Sequence, residues 1–216
     1  SGITHKRYFI SAVSYLKNFS NPTAIIDLGV GNGDFIKESI QFLKLKKIVG
    51  IDLSKKSISI SKKNLSRFNK IEKKFINENA NSVNKWSRKL DNFLNNEKLV
   101  ISMWFLIQEI AKNDKKNVIN FLNKIHKRFP SATLVICELV RIDSKLLSQN
   151  KDHSIIPEYL FFHDLSHQHV FSWKDFKDIF KNTPYKIDRE YFFDEIKNND
   201  QKIIPSTFIT CLKPKN

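Results

Sequence analysis

The stretch Asp27-Leu28-Gly29-Val30-Gly31-Asn32-Gly33 carries the strongest chemical signal in the sequence. Three alternating glycines stand between a short apolar run and a segment of helical period. Such a turn lets the backbone pass close to a ligand, in conformations that glycine alone adopts freely. The helix beyond it offers unpaired N–H groups and the positive end of its dipole. Spacing narrows the ligand class. A dinucleotide fingerprint requires G-x-G-x-x-G; counted from Gly29 its last position is Asp34, and from Gly31 it is Ile36. A dinucleotide site is disfavoured, and the bland alternative is an ordinary strand-to-helix turn.

A second constellation runs from Pro157 to His169. Phe161 and Phe162 stand beside His163, Asp164, His167 and His169, a mixture that suits a substrate pocket. Aromatics exclude water while a histidine accepts a proton from the acceptor. His163, Asp164 and His169 are therefore catalytic candidates, with Glu138, which follows the fifth apolar run. The competing readings are a polar loop with surface histidines and, for Glu138, a buried, hydrogen-bonded structural acid. His163-Asp164 with His167 or His169 also has the donor types of a divalent metal site. Adjacent residues on a regular strand point apart, and no histidine follows position 169, so no metal ligand is assigned. His5, His126 and His153 read as solvent-facing.

Several elements must position these groups. A helix over Thr4 to Phe19 carries Tyr8, Ala12, Tyr15, Leu16 and Phe19 at helical spacing, and Asn21-Pro22 breaks it. Strands are expected at Ala24–Leu28, Lys47–Ile51, Lys74–Asn77, Leu99–Trp104 and Thr133–Cys137. Helices are expected after the glycine turn and over Ser57–Phe68, Val83–Phe93 and Asp114–Phe129. The last of these shows Val118, Phe121, Leu122, Ile125 and Phe129 on one face, and Pro130 ends it. This alternation implies a mostly parallel sheet covered on both faces. Residues 141–170 lack a clean period and hold four of the six histidines. Ser172 reads as an N-cap with Asp175 three residues on, before the apolar stripe Trp173, Phe176, Ile179 and Phe180. Tyr185–Phe193 and Thr207–Leu212 then read as an antiparallel pair at the sheet edge.

The 216 residues suffice for one α/β domain, and no repeat, low-complexity tract or linker divides them. Residues 1–216 are thus read as a single domain, with 1–20 as an N-terminal helix and 141–170 as a substrate-binding insertion between the fifth strand and the last helix. Ser1-Gly2 reads as a tag remnant. No membrane span or signal peptide is expected. Cys137 and Cys211 form no metal or disulfide framework, which fits a cytoplasmic setting. The formal charge of +15 points to nucleic acid or an acidic membrane. Against that, lysine far exceeds arginine, beside an abundance of Asn, Ile and Phe, as an AT-rich coding sequence produces. The lysines are scattered along the chain without aromatic platforms, so solvated faces are preferred to a nucleic-acid groove.

The Asp27–Gly33 segment resembles the first motif of the class I S-adenosylmethionine (SAM)-dependent methyltransferases, acidic-x-G-x-G-x-G. Val49-Gly50-Ile51-Asp52-Leu53 ends the second strand with an acid 19 positions after Gly33. In that family this carboxylate binds the ribose hydroxyls, a task suited to a group with two acceptor oxygens. Glu78-Asn79-Ala80 stands where the family often has Gly-Asp-Ala. The departure leaves Asn79 to accept from the adenine amino group through its carbonyl oxygen. Val100-Ile101-Ser102-Met103-Trp104-Phe105 resembles the fourth-strand motif beside the methionine part of SAM.

The resemblance implies a Rossmann-like three-layer sandwich with a mostly parallel seven-stranded sheet and an antiparallel last strand. That strand would lie beside the fifth, placing Cys137 and Cys211 on neighbouring strands as buried thiols. It also implies SAM as cofactor, S-adenosylhomocysteine (SAH) as product, and cofactor contacts at Asp27, Gly29, Gly31, Gly33, Asp52, Leu53, Asn79, Ala80, Ser102, Met103 and Trp104. A small-molecule acceptor is the expected substrate. Alternatives are an RNA or protein acceptor, or a SAM-binding protein without turnover. No N-P-P-Y-like motif or catalytic cysteine follows the fourth strand, which weighs against base methylation. Oligomeric state, and methylation at carbon, nitrogen or oxygen, stay open.

Overall fold

A computed structural model of the chain describes residues 2–112, 114–142, 170–193, 196–197, 203–204 and 206–215. Its centre is a seven-stranded sheet. The apolar runs form β1 (Ala24–Leu28), β2 (Lys47–Asp52), β3 (Glu72–Asn77), β4 (Leu99–Trp104) and β5 (Thr133–Leu139). These five pair in parallel, and β6 (Tyr185–Phe193) completes the sheet beside the last strand. A two-residue pair, β7 (Ile196–Lys197) and β8 (Ile203–Ile204), extends the hairpin towards β9 (Thr207–Pro214). The sheet order is β3-β2-β1-β4-β5-β9-β6, and β9 runs antiparallel to both neighbours. Cys137 and Cys211 lie on the adjacent strands β5 and β9, both fully buried, as the resemblance implies.

Two hydrophobic layers sandwich the sheet. On one face lie α1 (Gly2–Tyr15), α2 (Asp34–Phe42) and α3 (Lys55–Leu65), joined to the sheet through Ile25, Ile48, Val100 and Val135. On the other lie α4 (Val83–Arg88), α5 (Ile107–Ala111), α6 (Lys115–Arg128) and α7 (Trp173–Lys181). Strands buried on both faces read as unbroken apolar runs, which is why β1, β4 and β5 were visible in the sequence. The helix α7 begins with a capping box: the Ser172 hydroxyl accepts from the Asp175 N–H at 3.2 Å, and the Asp175 carboxylate accepts from the Ser172 N–H at 3.2 Å.

Three helices depart from expectation. The first gives way after Tyr15 to a π-helical turn, Leu16–Ser20. The wider turn keeps both Tyr15 and Leu16 buried, and the Tyr15 hydroxyl donates to Asp188 at 2.5 Å. Asp188 sits where the β6–β9 register shifts, so the bulge accompanies an anchor for α1. Helix α4 stops at Arg88 instead of reaching Phe93. Beyond it, tight turns from Trp86 O to Lys89 N, Ser87 O to Leu90 N and Leu90 O to Phe93 N carry Leu90 into the core. Helix α5 was not expected at all.

Candidate functional site

The chain runs β1–β2–β3 to one side of β1 and resumes with β4 on the other, so the sheet order reverses between β1 and β4. Ligands in open α/β sheets bind at such a switch point, beyond the carboxyl ends of the strands. A cavity of about 290 Å³ lies there, lined by Gly29, Asp52, Leu53, Asn79–Asn81, Trp104–Leu106, Glu109, Ile110 and Lys112.

The glycine turn builds the first wall. Gly29, Gly31 and Gly33 have φ values of +73°, +51° and +79°. At Gly29 a Cβ would meet nothing nearer than Leu106 Cδ1 at 3.8 Å, so a ligand can approach the backbone there. Gly33 serves packing instead: a Cβ would lie 3.0 Å from Leu65 Cδ1 and 3.4 Å from Ser61 Cβ. Its left-handed conformation also opens α2.

Asp52 ends β2 and ties the turn to it. One carboxylate oxygen accepts from the Gly31 N–H at 3.0 Å, the other from the Ser54 N–H at 2.8 Å. Each oxygen keeps a further acceptor site for a ligand hydroxyl. Leu53 beside it is 70% exposed, an apolar surface at the cavity rim. Asn79 already accepts from the Asn81 N–H through Oδ1 at 2.8 Å, and the Ala80 carbonyl accepts from the buried Trp86 indole at 2.9 Å. These bonds fix the Asn79–Asn81 turn as the wall opposite the glycines.

Three further expected cofactor residues, Asp27, Ser102 and Met103, do not line the cavity. Asp27 is buried and accepts from the Ser102 hydroxyl at 2.6 Å, a link between paired positions of β1 and β4. Burial raises its pKa to about 7, although the Ser102 bond and the Asp52 charge oppose each other as smaller influences. Ser102 and Met103 are fully buried. Their side chains, like that of Asp27, belong to the strands below and do not line the cavity. Trp104 lines it, with its ring against Phe9 at 4.6 Å and Phe35 at 4.7 Å between centroids.

The last wall is the β4–α6 connection, whose short helix the sequence did not signal. Phe105 and Lys112 both line the cavity with left-handed φ values of +53° and +44°, one at each end of α5. Such conformations cost a non-glycine residue about 1–2 kcal/mol, so surrounding bonds must hold them. The Phe105 N–H donates to the Cys137 carbonyl at 2.9 Å. Glu138, fully buried at the top of β5, accepts from the Ile107 N–H at 2.5 Å. Burial pushes the Glu138 pKa up to about 8 against these backbone bonds. Its carboxyl group therefore holds the turn that shapes the wall, beneath the cavity surface. A five-residue helix leaves no periodic signal. The one clue was an acid at a strand end within reach of the next loop.

His163, Asp164, His167 and His169 lie outside the described residues. Among the described residues no cluster of three metal-ligating side chains occurs, and no helix is long and apolar enough to cross a membrane.

A family model described as a methyltransferase domain matches residues 20–183. No curated protein matches the sequence. Among solved structures, the methyltransferase domain of bacterial CtHen1-C is similar over 97% of this chain and 97% of its own, with 15% identity and a TM-score of 0.66. The small RNA methyltransferase HEN1 is similar over 98% of this chain and 25% of its own, with 13% identity and a TM-score of 0.68. The plantazolicin methyltransferase BamL, solved with a triazolic desmethylPZN analog and SAH, is similar over 100% of this chain and 88% of its own, with 16% identity and a TM-score of 0.59. At these identities the structures establish a shared fold, and the family match carries the assignment. The chain belongs to the methyltransferase-domain family and is a class I SAM-dependent methyltransferase.

Proposed function

We propose that the protein transfers the methyl group of SAM to a small-molecule acceptor. The observation that carries this reading is the confined cavity, which runs from Gly29, Asp52 and Asn79 to an apolar wall of Trp104, Phe105 and Ile110. Its volume, at the lower end of the small-molecule range, is that of a site for the cofactor, and it is the apolar wall beyond the cofactor groups that favours a compact acceptor. BamL, a plantazolicin methyltransferase of the same fold, supports such an acceptor.

Bound SAM supplies a methyl group already activated by its sulfonium. Asp52 would hold the ribose diol, the open backbone at Gly29 would admit the cofactor closely, and Leu53 with the Asn79–Asn81 turn would flank the adenine. Asn79 Oδ1 has one remaining acceptor site for the adenine amino group. Trp104 and Phe105 would keep water from the reacting atoms. Alignment of acceptor, methyl and sulfur then supplies most of the rate, because little covalent help is needed. The 141–170 segment is proposed to bring His163, Asp164 and His169 to the acceptor as proton-accepting groups, with Glu138 holding the β4–α6 wall of the cavity.

Turnover of candidate acceptors, followed by SAH release, tests this reading. His163→Ala and His169→Ala should each lower turnover at least tenfold while leaving SAH affinity within twofold. Unchanged turnover in both variants would remove the proposed role. A second reading, transfer to RNA, is favoured by one observation: positive charge concentrates on the sheet edge beside the cavity.

A further inference from the structure

The positive charge is concentrated in one stretch of the chain. Residues 55–89 hold eleven Lys or Arg against two Glu, a net charge of +9 in 35 residues; the other 181 residues carry +6. A uniform compositional drift towards lysine does not produce this segregation. The segment comprises α3, the edge strand β3 and α4, so its charge flanks one edge of the sheet from both faces.

Nine of the eleven cations are exposed. Lys55, Lys56, Lys62 and Lys63 lie on α3, Arg67 and Lys70 follow it, and Lys85, Arg88 and Lys89 lie on or just after α4. None of the nine forms an ion pair among the described residues. The other two, Lys73 and Lys74 on β3, donate to backbone carbonyls of Phe68, Ile71 and Lys89. Edge strands commonly carry lysine to block pairing with other chains. That need explains Lys73 and Lys74 but not the nine exposed cations off the strand.

A recess lined by Asn84, Ser87, Arg88, Asp91 and Arg128 lies between α4 and α6 at this edge. The Ser87 hydroxyl is buried there without a hydrogen-bond partner. Arg128 is paired with Asp91, which leaves Arg88 as the uncompensated cation of the recess. The edge also reaches the cofactor cavity: Leu53 precedes α3, and Asn79–Asn81 precede α4.

We infer that this edge docks the phosphate backbone of a single-stranded nucleic acid, with the α4–α6 recess seating one phosphate. A membrane surface is less favoured because stable binding there adds apolar insertion to the electrostatic attraction, and Leu53 is the one large exposed apolar residue near this edge among the described residues. The exposed large apolar residues Ile10, Phe19 and Phe42 lie on the α1–α2 side, and Leu53 stands at the cavity rim. With no exposed aromatic platform at the edge, binding is electrostatic and independent of sequence. The inference concerns binding alone and holds whether or not the bound strand is the methyl acceptor.

The test is fluorescence anisotropy with a labelled single-stranded RNA of about 20 nucleotides, a length chosen to exceed one electrostatic groove, at low and moderate salt. The quadruple variant Lys62→Ala, Lys63→Ala, Lys70→Ala, Arg88→Ala is compared with a control that removes equal charge elsewhere: Lys44→Ala, Lys124→Ala, Lys127→Ala, Lys177→Ala. The edge variant should bind at least tenfold more weakly, with a salt slope reduced by about 2–3, as expected for up to four lost phosphate contacts. The control should lose less than threefold. SAH affinity and thermal midpoint should stay unchanged in both; should the quadruple variant not fold, Arg88→Glu alone is used, with a loss of at least threefold expected. Equal losses in edge and control variants, or no saturable binding by the wild type, would overturn the inference. So would equal binding of phosphatidylserine vesicles or polyglutamate through the same residues.

Discussion

Replacing Asp52 by asparagine should damage cofactor binding almost as much as replacing it by alanine. Both carboxylate oxygens already accept backbone N–H bonds, from Gly31 at 3.0 Å and Ser54 at 2.8 Å. An amide has one acceptor oxygen, so Asp52→Asn must turn its NH₂ towards one of these two N–H groups. One charge-assisted bond is lost outright, worth about 1.5–3 kcal/mol. The turn then loosens where Gly31 should be fixed, and one ribose contact is lost with it. Taking a single such bond as the minimum, the loss corresponds to about 10- to 150-fold in Kd. Calorimetric titration of wild type, Asp52→Asn and Asp52→Ala with SAH would measure it, with thermal unfolding as a check on the fold. Affinity of Asp52→Asn within threefold of wild type would refute the reasoning, because it would show that the second acceptor oxygen contributes nothing.

Gly33→Ala should destabilise the chain by about 2–4 kcal/mol, the sum of left-handed backbone strain and crowding against Leu65 and Ser61; denaturant unfolding reads this, and a loss below about 0.5 kcal/mol would contradict it. Asp27 predicts a pH dependence. Its folded pKa of about 7 lies above the ordinary carboxylate value of 3.8, so the folded chain binds more protons than the unfolded one between those values. Stability should therefore fall as pH rises from about 4 to 7, by at most about 4 kcal/mol from this group. Asp27→Asn keeps the acceptor for Ser102 and should remove about half of the fall between roughly pH 5 and 7, leaving the similar slope that Glu138 contributes as it titrates towards about 8. Parallel profiles for the two proteins would show that Asp27 is not the titrating group.

How much was legible depended on whether a feature is local. The glycine turn, Asp52 and the strand runs are local or periodic signals, and the structure places Gly29, Asp52, Leu53, Asn79, Ala80 and Trp104 around one cavity. The Ser172 cap was legible for the same reason: its two bonds join residues three apart. Asp27, Ser102 and Met103 belong to the motifs, but in a buried strand alternate side chains turn into the two packed layers and away from a ligand at the strand ends. Helix α5 was invisible because its shape depends on Glu138, 31 positions from Ile107. The charge excess of residues 55–89 is countable in the sequence, but its placement along one sheet edge, on α3, β3 and α4, exists only after folding.

The most direct test of the cofactor site is a calorimetric titration of the wild-type chain with SAH, repeated in the presence of SAM. One site per chain, in the micromolar range and competed by SAM, is expected, with the heat lost in Asp52→Ala. Absence of binding by either compound, or full binding by Asp52→Ala, would contradict the placement of the cofactor at the carboxyl ends of β1, β2 and β4.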